Sequence, residues 1–406
     1  MNFYDYYGED FDLDFIKARL NRLLLAFSSH EGVDADYLFS SPGRSEILGN
    51  HTDHNHGKVL VAAISCDILS AVKKTDGNII KICSDGYPSI VFSLDDLEFN
   101  PSEKGTSTAL AKGVAYALKE KGFSIGGFTA YLTSNVFKGA GVSSSAAFEV
   151  LICEIFNSLY LDGKLSAVEK AIISQYSENV YFGKPCGLLD QSGIAIGSLS
   201  MLDFKTPTEP IIEKHDMLKG YTLVITNTGG DHATLTEHYA AIRLEMEEVA
   251  KFFGKATLRE VDKEEFYKNI PSIRKKLSDR AILRAMHFYE ENERVERAVE
   301  ALKTENAQEF LKCVNESGLS SLIRLQNCSV PAEVSQPVIL GIELSRRIIK
   351  DGAVRVHGGG FAGSILAIVK REETDGYVRE MERVFGEENV FTAQVRPTGT
   401  CKMKTE

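Results

Sequence analysis

A glycine- and serine-rich stretch at residues 138–147 carries the clearest chemical signal in this chain. It combines two glycines with three consecutive serines: Gly139, Gly141, Ser143, Ser144 and Ser145. Glycine lets the backbone turn sharply and approach a ligand closely. The helix predicted to follow would add free N–H groups and a positive dipole. Together these groups favour a bound anion, most often a phosphate; the alternative is an ordinary turn in which a serine caps the helix.

The same stretch excludes two common classes of nucleotide site. It has no Gly-Lys-Ser or Gly-Lys-Thr at the helix start, so it is not a Walker A loop. It has no third glycine at the protein-kinase spacing, and the chain contains neither His-Arg-Asp nor Asp-Phe-Gly. A nucleotide bound here would therefore belong to another class of kinase.

A second polar stretch, residues 41–57, precedes an apolar run at 59–64 that predicts a strand. Its polar residues are Arg44, Glu46, Asn50, His51, Asp53, His54 and His56. Carboxyl and amide oxygens beside Arg and His donors suit the vicinal hydroxyls of a polyhydroxy ligand. A solvated polar turn is the alternative. The three histidines are too close in sequence to share one helical face and lack an evident fourth ligand, which disfavours a metal site.

Two further segments place glycines around groups that could act on a ligand. Asp190 lies between Gly187 and Gly193, a setting typical of a turn former as well as of a catalytic carboxylate. Residues 358–363 fit the pattern Gly-x-Gly-x-x-Gly, but a short β-type run at 365–369 follows them instead of a helix. This context predicts a tight loop between two strands that approaches a ligand.

Composition and charge limit the class of protein. With 406 residues, 43% of them hydrophobic and 25% charged, the chain is typical of a soluble protein of two or three domains. A formal charge of -11 argues against a broad surface for nucleic acid or anionic membrane. Seven scattered cysteines without C-x-x-C spacing indicate neither a disulfide scaffold nor a zinc site. We expect a cytoplasmic enzyme, a monomer or weak homo-oligomer, with no nucleic-acid or membrane partner.

Apolar periodicity predicts the elements that must position these groups. Helices are predicted at residues 11–27, 108–121, 146–159, 166–181, 234–253, 282–302, 307–319 and 337–351. Strands are predicted at 59–64, within 71–97, and at 127–132, 194–202, 221–227 and 365–369. A polar stretch interrupted by two prolines indicates a domain boundary near residues 204–219.

The glycine-bearing loops near residues 44, 140 and 360 together resemble those of the GHMP kinases, and among these the galactokinase family. The family signature, approximately Gly-Arg-x-Asn-x-Ile-Gly-Glu-His-x-Asp-Tyr-x-x-Gly, is similar to residues 43–57. The family phosphate loop, Gly-x-Gly-Leu-Ser-Ser-Ser-Ala, matches residues 139–146 with Val142 in place of Leu. The last family loop, Gly-Gly-Gly-Phe-Gly-Gly, matches residues 358–363 with Ala362.

The segment around Asp190 extends the resemblance. The family's Met-Asp-Gln matches residues 189–191, and Pro-Cys-Gly precedes it. Glu178 stands twelve residues before Asp190, as the family's metal-binding Glu does. The resemblance therefore covers nearly the whole chain.

The resemblance implies an α+β, two-domain GHMP kinase fold. The N-terminal domain, predicted as residues 1–205, would be similar to ribosomal protein S5 domain 2, and the C-terminal domain, residues 206–406, would be ferredoxin-like. The implied activity is transfer of a phosphoryl group from ATP to the anomeric hydroxyl of galactose. The expected cofactors and partners are ATP, Mg²⁺ and a small sugar.

The resemblance also implies roles for individual residues. Asp190 would accept or polarise the proton of the sugar hydroxyl, and Arg44 would keep Asp190 ionised and stabilise the transferring phosphoryl group. Ser145 and Glu178 would hold Mg²⁺, a cation that prefers oxygen ligands. The residues implied for the nucleotide phosphates are Gly139, Gly141, Ser143, Ser144 and Ser145. The residues implied for the sugar are Asn50, His51, Asp53, Gly187 and Tyr239.

Three departures from the family pattern keep alternatives open. Asn50 replaces the Glu that meets the sugar's C6 hydroxyl, His54 replaces a Tyr, and Ser107 and Leu110 replace an aromatic pair near the adenine. A Glu at position 50 would repel a substrate carboxylate about 4 Å away by roughly 4 kcal/mol at an effective dielectric of about 20. Asn50 removes that repulsion, so a galacturonate or other hexose-derivative 1-kinase is the first alternative. A non-catalytic sugar sensor is the second, although the serine loop, residues 143–146, is complete.

Overall fold

A computed structural model describes residues 2–9, 11–136, 141–230, 235–331 and 333–404. The strands are β1 Tyr37–Leu48, β2 Lys58–Lys74, β3 Ile79–Ser84, β4 Tyr87–Ser93, β5 Phe128–Ser134, β6 Leu199–Asp203, β7 Ile211–His215, β8 Tyr221–Asn227, β9 Gly352–His357, β10 Ser364–Lys370, β11 Val390–Ala393 and β12 Cys401–Met403. The α-helices are α1 Tyr4–Tyr7, α2 Leu13–Glu31, α3 Ser107–Glu120, α4 Ser144–Tyr160, α5 Ala167–Tyr176, α6 Leu189–Ile196, α7 Thr236–Phe252, α8 Lys263–Ile273, α9 Asp279–Lys303, α10 Ala307–Ser320, α11 Pro337–Ile348 and α12 Thr374–Phe385.

The larger of two sheets is built around the long antiparallel pair β1 and β2. Its strand order is β12-β1-β2-β5-β3-β4, and β6 and β7 extend it from β2. Alternate residues of β2 face opposite layers. Leu69 and Ala71 pack under α2, whereas Ile68 and Val72 join the core formed with α3, α4 and α6. The loop that joins β1 to β2, residues 49–57, is therefore held by a strand pair buried on both faces.

The smaller sheet has the strand order β11-β8-β10-β9 and is antiparallel throughout. Alternate residues of its strands also face two different layers. Val354 and Val356 pack with α11 and α12, whereas Leu366 and Ile368 face the core shared with α9 and α10. Residues 358–363 form the turn between β9 and β10, as the sequence predicted, and this turn lies at one end of the sheet.

Two strands from the second half of the chain belong to the larger sheet. β7 pairs with β6, and β12 pairs with β1. Val395 also bridges to Ile64. The two halves are thus joined by strand pairing, and the boundary between residues 205 and 206 stays a prediction.

One difference from the predicted elements surrounds Asp190. Residues 194–196, predicted to begin a strand, instead end α6, so Asp190 lies in the first turn of a helix. A short apolar run does not by itself distinguish a buried helix from a strand. Gly193 lets this helix pack closely on β2, because an added Cβ would lie 2.5 Å from Val61 Cγ2. A second difference is the π-helical turn Ser177–Phe182, which follows α5 where a continuous helix was predicted.

Within the described residues, no helix is both long enough and apolar enough to cross a membrane.

Candidate active site

Three distant elements bring Arg44, Ser143 and Asp190 into contact. Arg44 lies on β1, Ser143 precedes the first turn of α4, and Asp190 lies in the first turn of α6. Arg44 Nε donates to Asp190 Oδ1 at 2.8 Å, and Ser143 Oγ donates to Asp190 Oδ2 at 2.5 Å. Arg44 also donates from NH1 to the backbone oxygen of Gly141. We refer to Arg44, Ser143 and Asp190 as the catalytic clamp.

The clamp keeps the Asp190 carboxylate ionised. Burial alone would raise the pKa of Asp190, but the Arg44 guanidinium and the Ser143 hydroxyl outweigh it and hold the pKa below its ordinary value. The side chain of Asp190 is 30% exposed, whereas that of Arg44 is 6% exposed. A charged carboxylate is therefore fixed in orientation while part of it still faces the open side of the site.

The serine loop does not act as an ordinary helix cap. Ser143 has the left-handed conformation, with φ 59°, and among the described residues its hydroxyl makes no capping hydrogen bond to α4. Because that hydroxyl is bonded to Asp190, the N–H groups of the first turn of α4 keep their capacity to bind an anion. Gly141, at φ 68°, also occupies the left-handed region that glycine tolerates. Gly139 lies outside the described residues.

A pair of oxygen ligands lies next to the clamp. Ser145, in the first turn of α4, donates from Oγ to Glu178 Oε1 at 3.0 Å. Gln191 Nε2 donates to the other oxygen of Glu178 at 2.7 Å, which fixes the carboxylate plane. Glu149 lies behind this pair, fully buried, and burial together with the charge of Glu178 raises its pKa well above the usual range. Glu149 therefore keeps its proton at physiological pH.

The loop between β1 and β2 brings Asp53 against Gly187. Asp53 Oδ2 accepts a hydrogen bond from the backbone N–H of Leu189 at 3.1 Å, next to Asp190. A Cβ added to Gly187 would lie 1.8 Å from Asp53 Oδ2, so position 187 tolerates glycine alone while Asp53 stays in place. The structure thus brings Asp53, Gly187 and Asp190 together.

His51 and Tyr239 both contact the turn between β9 and β10. His51 Nε2 donates to the Gly359 carbonyl at 2.9 Å, and Tyr239 Oη donates to the Gly360 carbonyl at 2.8 Å. Burial lowers the pKa of His51 to about 4, so its imidazole is neutral at physiological pH. Gly359 cannot carry a side chain here, because a Cβ would lie 2.5 Å from Tyr239 Cε1.

Asn50 is enclosed by protein on every side and has no exposed surface. Its Nδ2 donates to Glu46 Oε1 at 2.9 Å and to the Gly358 carbonyl at 2.8 Å. Its Oδ1 accepts from Asn327 Nδ2 at 2.9 Å and from Ser321 Oγ at 3.2 Å. Both N–H groups and both acceptor positions of this amide are therefore used inside the protein.

The sequence interpretation missed the residues that hold Asn50 in place. Arg355 donates to Glu46 Oε1 at 2.7 Å and to the Ile47 carbonyl at 2.8 Å, and it is fully buried. His287 Nε2 donates to the Asn50 carbonyl at 2.8 Å. We refer to Glu46, Asn50, His287, Asn327 and Arg355 as the loop network. Burial raises the pKa of Glu46 to about 7, although Arg355 and Arg44 act in the opposite direction.

One signal for the loop network was present in the sequence. The family signature has Asn four residues before Glu, at the positions of Glu46 and Asn50, so this chain exchanges the two side chains. In this chain the two side chains are hydrogen-bonded, so a carboxylate and an amide are in contact at these positions. Arg355 carried no comparable signal, since nothing near it in sequence identifies its partners.

Two family models match the chain. The galactokinase galactose-binding signature matches residues 25–74, which contain Arg44 and the β1–β2 loop. The GHMP kinases N terminal domain matches residues 109–198, which contain the serine loop, Glu178 and Asp190. The fold and the site thus define the class as that of the GHMP kinases, and the predicted α+β GHMP kinase fold is confirmed.

Comparison with individual proteins identifies the family within the GHMP kinases. The galactokinase of Clostridium tetani (strain Massachusetts / E88) is 31% identical over 373 residues, which cover 89% of this chain and 91% of that protein. The chain therefore belongs to the galactokinase family. The crystal structure of Lactococcus lactis galactokinase complexed with galactose has a TM-score of 0.83 and 25% identity, covering 95% of this chain and 100% of that chain. Methanococcus jannaschii mevalonate kinase, with a TM-score of 0.62 and 16% identity, covers 88% of this chain and 98% of its own and shares the fold.

Proposed function

We propose that this chain transfers the terminal phosphoryl group of ATP to the anomeric hydroxyl of galactose, giving galactose 1-phosphate and ADP. The observation that carries the proposal is the catalytic clamp, which lies beside the Ser145–Glu178 pair and the loop that contains Asp53. Family membership supports both the reaction and the sugar. We also propose a cytoplasmic location, with the chain active as a monomer or weak homo-oligomer.

The clamp supplies positioning and charge. The bond from the sugar oxygen to phosphorus forms as the bond from phosphorus to the ADP oxygen breaks, and the proton of the sugar hydroxyl passes to an oxygen of Asp190. Arg44 has two tasks: it keeps Asp190 ionised through Nε, and its guanidinium places positive charge where the phosphoryl group moves. Phosphoryl transfer depends mainly on such positioning and electrostatic stabilisation.

The residues around Glu178 fit a magnesium ion. The Ser145 hydroxyl and the Glu178 carboxylate place two oxygen atoms 3.0 Å apart, and oxygen is the ligand type that Mg²⁺ prefers. Bound there, Mg²⁺ would neutralise charge on the nucleotide phosphates. The left-handed backbone at Gly141 and Ser143 turns the chain into α4, and we assign the backbone N–H groups of Ser143, Ser144 and Ser145 to those phosphates.

Asp53, His51, Gly187 and Tyr239 are proposed to hold the sugar. Asp53 supplies acceptors for vicinal hydroxyls, and the absence of a side chain at Gly187 leaves room beside it. His51 and Tyr239 fix the turn between β9 and β10 against the site. Asn50 contributes through the loop network, because its own hydrogen-bonding groups are already paired within the protein.

An ADP-release assay with purified protein tests the proposal. ADP should form only when ATP, Mg²⁺ and galactose are present together, and it should stop when the metal is chelated. Parallel reactions with galacturonate, N-acetylgalactosamine, glucose and arabinose identify the substrate, and the Asp190→Asn variant controls for a contaminating kinase. Folded protein that forms no ADP with any of these sugars would refute the proposal; sugar and ATP binding without ADP formation would point to a sensor.

A further inference from the structure

Lys184 places a second positive charge at the proposed magnesium site. It follows the π-helical turn Ser177–Phe182, and its backbone N–H donates to the Glu178 carbonyl at 3.0 Å. Its Nζ lies 3.5 Å from Glu178 Oε1, the oxygen that also accepts the Ser145 hydroxyl. The ammonium group therefore competes for the oxygen atom on which a metal ion would bind.

The two charged partners differ in freedom of movement. The side chain of Glu178 is 2% exposed and fixed by Gln191, whereas that of Lys184 is 62% exposed. Gly183, at φ 81°, returns the chain over Glu178, and a Cβ there would lie 2.1 Å from Lys104 Cε. The backbone of Lys184 is thus fixed by this turn while its long side chain can reorient.

The negative charge of Glu178 accounts for a lysine at position 184. Arg44 is committed to Asp190 by a hydrogen bond of 2.8 Å, so Glu178 needs its own counter-ion when no metal is bound. A metal ion bound to Glu178 would repel the ammonium group at that short distance. The anionic phosphates that accompany the metal offer the ammonium group a new partner, since lysine binds phosphate as a point charge.

We infer that Lys184 exchanges partners during the reaction cycle. It neutralises Glu178 in the free enzyme and binds phosphate oxygens of the nucleotide once the metal and nucleotide enter together. This role rests on the proposed function, because it presupposes the metal and nucleotide site. It makes Lys184 a phosphate-binding residue, in addition to the residues that the family signature implies.

The inference predicts two effects of opposite sign in Lys184→Met. Without nucleotide, Mn²⁺ should bind more tightly, because its competitor for Glu178 is gone. With Mg²⁺ present, a non-hydrolysable ATP analogue should bind more weakly, because a phosphate contact is lost. Each change is expected to be roughly fivefold, the effect of one partly exposed ion pair. Electron paramagnetic resonance of Mn²⁺ and calorimetry with the analogue measure the two affinities.

Matched variants separate this role from a general structural one. Lys184→Arg keeps the charge and should restore most of the analogue affinity, and Lys184→Gln should behave as the Met variant does. Lys164→Met removes a comparably exposed lysine, which pairs with Asp162 at 3.6 Å, and should change neither affinity. Unchanged or weaker Mn²⁺ binding in Lys184→Met, or unchanged analogue affinity, would overturn the inference. Both measurements omit the sugar, so they are independent of whether galactose is phosphorylated.

Discussion

The catalytic clamp and the loop network lie side by side but use hydrogen bonds in opposite ways. In the clamp, Asp190 has two protein partners and its side chain stays 30% exposed. In the loop network, the side-chain amide of Asn50 has four partners and no exposed surface. The clamp orients a reactive group and leaves it accessible, whereas the network fixes a loop and is inaccessible.

This difference explains why two parts of one site tolerate change differently. A group that reacts must keep a free lone pair and access to substrate, so its identity is fixed by chemistry. A group that positions a loop must only satisfy its buried partners, so it can change when a partner changes with it. Glu46 and Asn50 are an example: this chain exchanges the amide and the carboxylate of the family signature, and the two side chains are hydrogen-bonded here.

Removal of the reactive carboxylate should give the largest effect. Asp190→Ala, and its isosteric control Asp190→Asn, should lower kcat by roughly 10⁴-fold, because no other group in the clamp can accept the proton. Galactose affinity, measured by calorimetry, should change little, since Asp53 and the loop network remain. A kcat close to that of the wild type would contradict the role of Asp190.

Removal of the Arg44 side chain from the clamp should lower kcat less than removal of the Asp190 carboxylate. Arg44→Ala should lower kcat by roughly 10³-fold, as for a residue that stabilises charge in phosphoryl transfer. Arg44→Lys keeps the charge but cannot bridge Asp190 and the Gly141 carbonyl together, so it should recover only part of the rate. Steady-state kinetics with galactose measures both variants; full recovery in the Lys variant would show that charge alone suffices.

Changing one member of the Glu46–Asn50 pair should destabilise the loop network more than exchanging the two side chains. Asn50→Glu alone places a second buried carboxylate beside Glu46 and should lower the free energy of unfolding by roughly 3 kcal/mol. The double variant Glu46→Asn with Asn50→Glu restores the family order and should recover at least half of that loss. With Glu46→Asn alone, the set forms a double-mutant cycle measured by urea unfolding. Additive effects would show that the two positions are independent.

The smallest predicted effect is a pH dependence of the network. Burial lowers the pKa of His287 from 6.5 to about 4, so between these values the unfolded chain binds a proton that the native protein does not. The stabilising contribution of neutral His287 is therefore complete above pH 6.5 and is lost as the pH falls. The stability difference between wild type and His287→Asn should shrink by roughly 2 kcal/mol from pH 6.5 to about 5. A stability difference between wild type and His287→Asn that is the same at pH 6.5 and at about pH 5 would contradict this assignment.

Much of the site could be predicted from the sequence because its residues lie in short motifs. Each of the following lies in a motif whose spacing can be read from one short stretch of sequence: Arg44, Asp53, the serine loop, Glu178 and Asp190. The helix around Asp190 was not predicted, because the apolar run at residues 194–196 suits a buried strand equally well. Arg355 could not be predicted, since its partners lie more than 300 residues away in the chain.

The sequence by itself determined the family and the α+β fold class and predicted the residues proposed for the chemistry, because these depend on local pattern and spacing. Only the tertiary structure decided which of those groups are free to meet a ligand. Asn50 illustrates the distinction: its sequence position predicts a sugar contact, yet Gly358, 308 residues further on, takes one of its N–H groups. Hydrogen-bonding capacity is finite, and only the folded protein determines how it is shared.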